Sequence, residues 1–174
     1  MIIILNVFLS ILFAELVSGI FHWWEDRYGN PDWPIIGKFI IEPNIRHHQY
    51  PTEFCKGSYL YRNSSTLIPT LAAAAIFYWQ PVICLGFILM SQSNEIHSWS
   101  HQKCSYPIRM LQKIGIVQSP QQHYIHHKRP YDRYYCVMTN YFNPILSYLK
   151  FWQILEAIVY IFTGIKPRKE REIF

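Results

Sequence analysis

The sequence predicts an all-α, multi-pass membrane helical bundle with one histidine-rich face. Half of the 174 residues are hydrophobic, and long apolar runs alternate with basic segments. Aromatic residues reach 17%, and Trp and Tyr prefer the headgroup region of a bilayer. All eight histidines fall in four short stretches, several of them beside apolar runs. Imidazole is the commonest metal ligand among side chains, so these histidines predict a polynuclear metal site near the membrane surface.

Three apolar stretches predict transmembrane helices. The first covers about 2–24, roughly 33 Å at the helical rise, which is enough to span the hydrocarbon. The second covers about 65–79 and the third about 81–101. Pro81 separates them and is predicted to start the third helix, because proline is tolerated in the first turn of a helix. The second helix is short for a span and can begin earlier, near Tyr59.

The distribution of basic residues orients these helices. All 16 Lys and Arg lie in 27–62 or 103–171, and none lies in 1–24 or 64–102. Under the positive-inside rule both basic regions face the cytoplasm, at a bacterial inner membrane or the endoplasmic reticulum. The N-terminus and the hairpin tip near Gln80 then face the other side. Every histidine group is therefore predicted at the cytosolic face.

The remaining residues are predicted to form a cytosolic cap within a single membrane-embedded domain, 1–174. The cap comprises 25–64 and 102–174, with short helices around the paired histidines. The apolar stretch 144–163 is predicted to pack on this cap or to lie in the interface, because a fourth span would carry the following charges outside. Those charges are Lys166, Arg168, Lys169 and Arg171. The net charge of +5 is divided among separate segments, which favours anionic headgroups over nucleic acid as its partner.

The spacing of the histidines places several of them on common helix faces. Residues three and four apart share a face, as His22 and Asp26 do, and as His97 and His101 do. The three histidines of 123–127 also project together if that segment is helical. These sets come from distant parts of the chain and would meet at the cytosolic end of the bundle.

The neighbours His47 and His48 predict two metal ions rather than one. On a helix they diverge by about 100°, so a mononuclear centre would use only one of them well. Two adjacent ions would use both. A structural zinc takes four ligands and a catalytic zinc three, and eight histidines exceed either number. Imidazole alone does not choose among iron, zinc, copper and nickel.

The residues around the histidines also carry a family resemblance. The stretches concerned are Glu15-Leu-Val-Ser-Gly-Ile-Phe-His22-Trp, His47-His48, Asn94-Glu-Ile-His97-Ser-Trp-Ser-His101, His123-x-x-His126-His127-x-x-Pro130 with Tyr135-Cys136, Asn143-Pro144 and Phe151-Trp152-x-x-Leu155-Glu156. Together they resemble the plasmanylethanolamine desaturase family over roughly 14–167. That family includes animal, plant and bacterial lipid desaturases, among them a chloroplast palmitate desaturase that acts on phosphatidylglycerol.

The resemblance implies a membrane di-iron enzyme that uses O₂ to remove two hydrogens from a lipid chain. The chain would be an alkyl ether, giving the vinyl ether of a plasmalogen, or a fatty acyl group. Position by position, the implied iron ligands are His22, His47, His48, His97, His101, His123, His126 and His127. Asp26 matches an acidic position and would be a ligand or an anchor for one. Asn94 would either hold a metal-bound water or serve as a polar residue at a helix end.

A phospholipid from the bilayer is the implied substrate, and electrons must come from a separate protein. The sequence has no four-cysteine cluster pattern and no haem attachment motif. The resemblance implies a donor of the cytochrome b5 or ferredoxin type. Its predicted docking charges are Lys103, Arg109, Lys113, Lys128 and Arg129. Neither the donor's identity nor an oligomeric state follows from the sequence.

Two other functions are compatible with the same residues. One is a di-iron lipid or fatty-acid hydroxylase, because oxygen insertion needs only a small change in substrate placement. The other is a non-enzymatic membrane zinc-binding protein. Zinc found in purified protein would not decide between a di-iron enzyme and a zinc-binding protein, because zinc can replace iron at an overexpressed site.

Overall fold

The computed structural model describes residues 1–168, and all regular structure within them is helical. The helices are α1 (Ile2–Tyr28), α2 (Glu42–Gln49), α3 (Tyr59–Ile76), α4 (Pro81–Met90), α5 (Ser93–Trp99), α6 (Tyr106–Lys113), α7 (Pro120–His126), α8 (Phe142–Tyr148) and α9 (Phe151–Thr163). A π-helical turn, Gly37–Ile41, leads into α2, and a 3₁₀ turn, Phe54–Lys56, precedes α3. The prediction of an all-α fold is confirmed. Lys169 and Arg171, two of the basic residues predicted to follow the last apolar stretch, lie outside the described residues.

Polar side chains and prolines set where several of these helices begin. The Ser58 hydroxyl accepts a hydrogen bond from the Tyr61 amide at 3.2 Å and caps α3. In the same way the Ser119 hydroxyl accepts from the Gln122 amide at 3.3 Å before α7. Pro81 starts α4 in the position where a missing amide hydrogen costs nothing.

Within residues 1–168, one helix is by itself long and apolar enough to cross a bilayer. This is α1, whose 27 residues measure about 40 Å at the helical rise. The pair α8 and α9 meets the same test when taken together, although the two helices are bent by 58°. Helix α4 is apolar but has only 10 residues. Crossing of the membrane by several helices therefore stays a prediction.

The predicted helix 81–101 is wrong as one continuous element. It divides into α4 and α5 at Ser91 and Gln92. The Ser91 hydroxyl donates to the Ile88 carbonyl at 2.7 Å, a local side-chain bond of the kind that competes with helix propagation. Helix α5 ends at Trp99, so His101 lies in the turn that follows.

The other predicted helices differ mainly at their ends. Helix α1 continues four residues beyond the predicted end, to Tyr28. Helix α3 starts at Tyr59, which confirms the earlier of the two predicted starts. The apolar stretch predicted at 144–163 begins at Phe142 and is broken at Lys150, whose φ of 53° lies in the left-handed region.

Two apolar cores hold these helices together at the end that carries the histidines. Helix α1 packs along α4, and Gly86 allows this because a Cβ there would collide with the Phe13 ring. The first core contains Ala14, Met90, Val137 and Met138, and the second contains Trp23, Tyr135, Cys136, Leu146 and Trp152. The extended segment 135–138 passes between them. This segment is thereby fixed against the C-terminal half of α1, beside His22.

Candidate metal centre

Five histidines meet in one group that could hold a metal ion, here named the five-histidine group. Its members are His47, His97, His101, His123 and His127. They come from α2, α5, the turn after α5, and α7 with its C-cap. One ligand nitrogen from each lies within 4.8 Å of all the others.

The closest nitrogens in this group have the spacing of metal ligands. The His123 Nε2 lies 2.9 Å from His97 Nε2 and 2.9 Å from His127 Nε2, and His97 Nε2 lies 3.3 Å from His101 Nε2. Nitrogens bound at about 2.0–2.1 Å to one ion lie roughly 2.9–3.4 Å apart. His97 and His123 each make two of these contacts through one nitrogen with a single proton or lone pair. Ordinary hydrogen bonds therefore do not account for the spacing, whereas a shared ion does.

A second group combines three histidines with one carboxylate, and it is named the Asp26 group. It consists of His22, Asp26, His48 and His126, all buried, with ligand atoms within 4.8 Å of one another. The His48 Nε2 lies 3.1 Å from Asp26 Oδ1. The His126 and His22 Nε2 atoms lie 3.3 and 3.8 Å from Asp26 Oδ2. Among the described residues, these two nitrogens and Oδ2 are buried without a hydrogen bond, which fits a bound cation.

Backbone carbonyls orient two of these imidazoles toward the group. The His22 Nδ1 lies 3.0 Å from the Tyr135 carbonyl, and the His126 Nδ1 lies 3.0 Å from the Arg133 carbonyl. A carbonyl only accepts, so in each ring Nδ1 is the donor and Nε2 carries the lone pair that points into the group. This is the usual outer contact of a metal-binding histidine.

The two groups are adjacent and share elements. Helix α2 contributes His47 to the five-histidine group and His48 to the Asp26 group, as their divergence on a helix predicts. Helix α7 likewise sends His123 to one group and His126 to the other. The His123 and His126 ring centroids are 5.7 Å apart. The donors therefore suit two neighbouring ions.

Burial keeps these imidazoles in the form that binds metal. It lowers the pKa of His47, His123 and His127 well below the usual value, and neighbouring imidazoles lower it further. Neutral imidazole has a free lone pair at one nitrogen. Both nitrogens of His47 are buried without a hydrogen bond among residues 1–168.

The side-chain amide nitrogen of Asn94 is used in hydrogen bonds between helices. That nitrogen donates to the Arg62 carbonyl at 3.0 Å and lies 3.3 Å from the Ser65 hydroxyl, so it joins α5 to α3. Its role toward a metal-bound water stays a prediction. Sequence reasoning missed Asn44, whose Nδ2 donates to Asp26 Oδ1 at 2.5 Å. The signal was present, because Asn44 precedes His48 by four residues on one face of α2.

A cavity of about 580 Å³ opens onto both groups. Four histidines line it: His48, His101, His123 and His127. The other lining residues are Pro51, Ser100, Pro120, Gln121 and Tyr124. The cavity therefore brings residues of both histidine groups to one open space.

Comparison with known families matches this arrangement to one of them. The profile of the lipid desaturase domain covers residues 11–170, which contain all eight histidines and Asp26. This chain belongs to the lipid desaturase domain family. The resemblance predicted from the histidine stretches is thereby confirmed.

Known members of the family are similar over nearly the whole chain. Plasmanylethanolamine desaturase 1 of Mus musculus is 33% identical over 97% of this chain and 69% of its own length. The plasmanylethanolamine desaturase of Myxococcus xanthus is 30% identical over 94% of this chain and 63% of its own length. Chloroplastic fatty acid desaturase 4 of Arabidopsis thaliana is 29% identical over 92% of this chain, which spans 53% of that relative. No solved structure matches the chain significantly.

The family assignment places the chain among oxidoreductases of the desaturase type, as predicted. A lipid desaturase family implies lipid as substrate, and the apolar helices are consistent with membrane association. The histidine groups supply donors for metal ions.

Proposed function

We propose that this protein is a membrane-bound, O₂-dependent di-iron lipid desaturase. It forms a double bond in the alkyl-ether or acyl chain of a phospholipid. The observation that carries the proposal is the pair of adjacent ligand groups, five histidines beside three histidines and a carboxylate. The names of the mouse and Myxococcus relatives support an ether lipid, and that of the Arabidopsis relative supports a fatty acyl chain.

The ligand sets follow from the two groups. His47, His97, His101, His123 and His127 would hold one iron, and His22, Asp26, His48 and His126 the other. When bound, the irons supply the redox chemistry that reduces O₂ and removes hydrogen from an unactivated methylene. Two hydrogens leave the lipid, and O₂ with two electrons and two further protons becomes two waters.

The protein's own part is to hold one methylene pair of the lipid beside the histidines. The cavity lined by His48, His101, His123 and His127 is where this segment would lie. The rest of the tail would lie against apolar helices, where packing contacts with side chains replace its contacts with other lipid tails. Rigid helices fix the reacting carbons relative to the ligand groups, which lowers the entropic cost of reaching the reactive geometry.

A multi-pass arrangement puts the lipid and the histidines at the same level. Helix α1 would cross the bilayer, with α3 and the broken α4–α5 unit packed beside it as a hairpin. Exposed apolar residues such as Ile68, Leu71 and Ile88 then face lipid. The histidine groups lie at the basic, cytosolic ends of these helices.

The two electrons would come from a separate donor of the cytochrome b5 or ferredoxin type. The five basic side chains predicted to dock this donor are exposed: Lys103, Arg109, Lys113, Lys128 and Arg129. Attraction between opposite surface charges speeds such encounters and weakens with salt.

Alanine at His97 or His123 tests the proposal. Each variant loses one nitrogen of the closest-spaced cluster, so we expect loss of metal and loss of unsaturated product while the protein remains in the membrane. Lipid analysis of cells expressing each variant measures the product, and metal analysis of purified protein measures iron. Tyr148→Ala, at an 87% exposed position on α8, is the matched control and should keep both. Full desaturation by both histidine variants would refute the proposal.

The same lipid analysis separates the alternatives. A desaturase product is lighter by two hydrogens, whereas a hydroxylase product is heavier by one oxygen. Acid-labile vinyl ethers distinguish an ether substrate from new unsaturated fatty acids. A protein that holds zinc in cells and changes no lipid would instead be a metal-binding protein without this activity.

A further inference from the structure

We propose that Arg62 and Glu95 form a positioning pair that holds the five-histidine group in place. The pair touches none of the ligand nitrogens and acts through the segments that carry them. The inference rests on the metal centre of the proposed function and adds to it residues with no ligand role.

Glu95 is the centre of a dense polar cluster. Arg62 approaches its carboxylate with two nitrogens, Nη2 at 2.8 Å and Nε at 3.1 Å from Oε2. The Asn63 amide donates to the same oxygen at 3.0 Å, and the Trp99 indole donates to Oε1 at 3.2 Å. Two residues of α3 and one of α5 thus fix a single carboxylate, and a planar guanidinium gives that arrangement a defined direction.

Arg62 extends the cluster to the chain that follows α2. Its Nη1 donates to the carbonyls of Cys55 and Gly57, the first of these at 3.4 Å. The guanidinium therefore joins three segments: α3, the turn before it, and α5. Lysine could keep the charge of Arg62 but could not make these several contacts.

These segments lead directly to the five-histidine group. His97 follows Glu95 by two residues on α5, and His101 follows Trp99 by two. Phe54, beside Cys55, packs its ring against both His47 and His97, with centroid distances of 5.3 and 5.2 Å. Displacement of α5 or of the turn at 54–57 would therefore move the imidazoles of His47, His97 and His101 away from their common centre.

A second ion pair with the same exposure provides a matched comparison. Arg27 and Glu156 join α1 to α9 at 2.7 Å with side chains 12% and 16% exposed, against 13% and 15% for Arg62 and Glu95. Helix α5 supplies ligands only to the five-histidine group, whereas α1 supplies them only to the Asp26 group. Breaking either pair removes a largely buried ion pair, yet the two changes should affect different metal positions.

The experiment measures release of each metal ion from purified protein as a chelator is added. In Glu95→Gln we expect one of the two ions to be released at a chelator concentration on the order of 10-fold lower, and the other to be released as in the wild type. Arg62→Lys should behave similarly, because lysine keeps the positive charge but lacks the planar guanidinium that contacts Glu95 through two nitrogens. Glu95→Asp keeps the carboxylate and should retain the ion better than Glu95→Gln.

Glu156→Gln and Asp26→Ala identify the position affected. Glu156→Gln should leave the ion of the five-histidine group at its wild-type affinity. Asp26→Ala should remove the other ion, and adding Glu95→Gln to it should weaken the one that remains. Release of both ions from Glu95→Gln as from the wild type would overturn the inference, and so would an equal shift of both ions in Glu95→Gln and Glu156→Gln. A wild-type protein that binds no metal would instead refute the proposed function.

Discussion

Asp26 is the one carboxylate among the ligand groups, and its two oxygens have different surroundings. Asn44 donates to Oδ1 at 2.5 Å, and His48 Nε2 lies 3.1 Å from the same oxygen. The other oxygen, Oδ2, faces His22 and His126. Asn44 therefore holds the carboxylate by one oxygen and leaves the second toward the group, where a carboxylate favours a harder cation than imidazole alone would.

Replacement of Asn44 by alanine should weaken the ion of the Asp26 group. The lost hydrogen bond frees the carboxylate to rotate, so we expect that ion to be bound on the order of 10-fold more weakly. Chelator competition on purified protein measures this loss, and the five-histidine ion should be unaffected. Asn30→Ala is the control, because Asn30 caps an exposed turn through Asp32 and reaches neither group. An unchanged release curve in Asn44→Ala would show that Asp26 is held without its help.

At the scale of single residues, the sequence predicts the imidazoles better than the groups that orient them. His47 and His48 can be assigned to different ions because their divergence follows from helix geometry. Asn44 could have been found in the same way, four residues before His48. The Tyr135 carbonyl that receives His22 Nδ1 could not, because it is a backbone atom 113 residues away in the chain.

Close packing of α1 against the cap depends on Gly19. A Cβ at this position would lie 2.8 Å from Cys136 Sγ and 3.2 Å from the end of the Trp152 ring. Both neighbours are fully buried, so neither can move without disturbing the core that backs Tyr135. The small residue therefore lets α1 bring His22 up to the Tyr135 carbonyl.

Gly19→Val should destabilise the protein by about 1–3 kcal/mol through overpacking. Thermal unfolding in detergent measures the change, and metal loss at the Asp26 group should accompany it. Ile20→Val provides a control on the neighbouring position of α1, which is 38% exposed, and should shift stability by less than about 0.5 kcal/mol. If Gly19→Val is as stable as the wild type, then α9 and segment 135–138 can shift away from α1 and make room for the larger side chain.

The helices themselves were predictable where apolar length decides them and not where single polar residues do. A long, predominantly apolar run sets α1, so its start and most of its length follow from composition. The break between α4 and α5 depends on Ser91 bonding its own helix at Ile88, which competes with an otherwise continuous pattern. The break at Lys150 is a left-handed residue in an apolar run with no Gly or Asn to mark it.

Among the described residues, four distant segments build two unlike groups of candidate metal ligands. Helices α2 and α7 contribute to both groups, while α5 serves only one and α1 only the other. The five-histidine group consists of imidazoles alone, whereas the Asp26 group combines three imidazoles with one carboxylate. A pair of ions held this way is inequivalent, and any movement of α2 or α7 alters both positions together.

This arrangement also fixes where the membrane must lie, if α1 crosses it. His22 and Asp26 fall in the last two turns of α1, beyond an apolar length of about 30 Å that matches the hydrocarbon core. All eight histidines then lie on one side. A spanning α3–α4 hairpin would place the turn between these helices, with Tyr78 at 74% exposure, on the other side.

Cysteine labelling at two exposed positions tests this topology. In bacterial cells that carry the protein in their inner membrane, Tyr78→Cys should react with a membrane-impermeant maleimide, because a spanning α3–α4 hairpin would place the turn at 78 away from the cytoplasm. Tyr106→Cys, at the start of α6 and 67% exposed, should react only after the membrane is permeabilised. Labelling is compared with the unsubstituted chain, since Cys55 and Cys104 contribute a background. If both positions react from the same side, α3 and α4 do not form a spanning hairpin. Lipid would then reach the histidines from a membrane surface on which these helices lie.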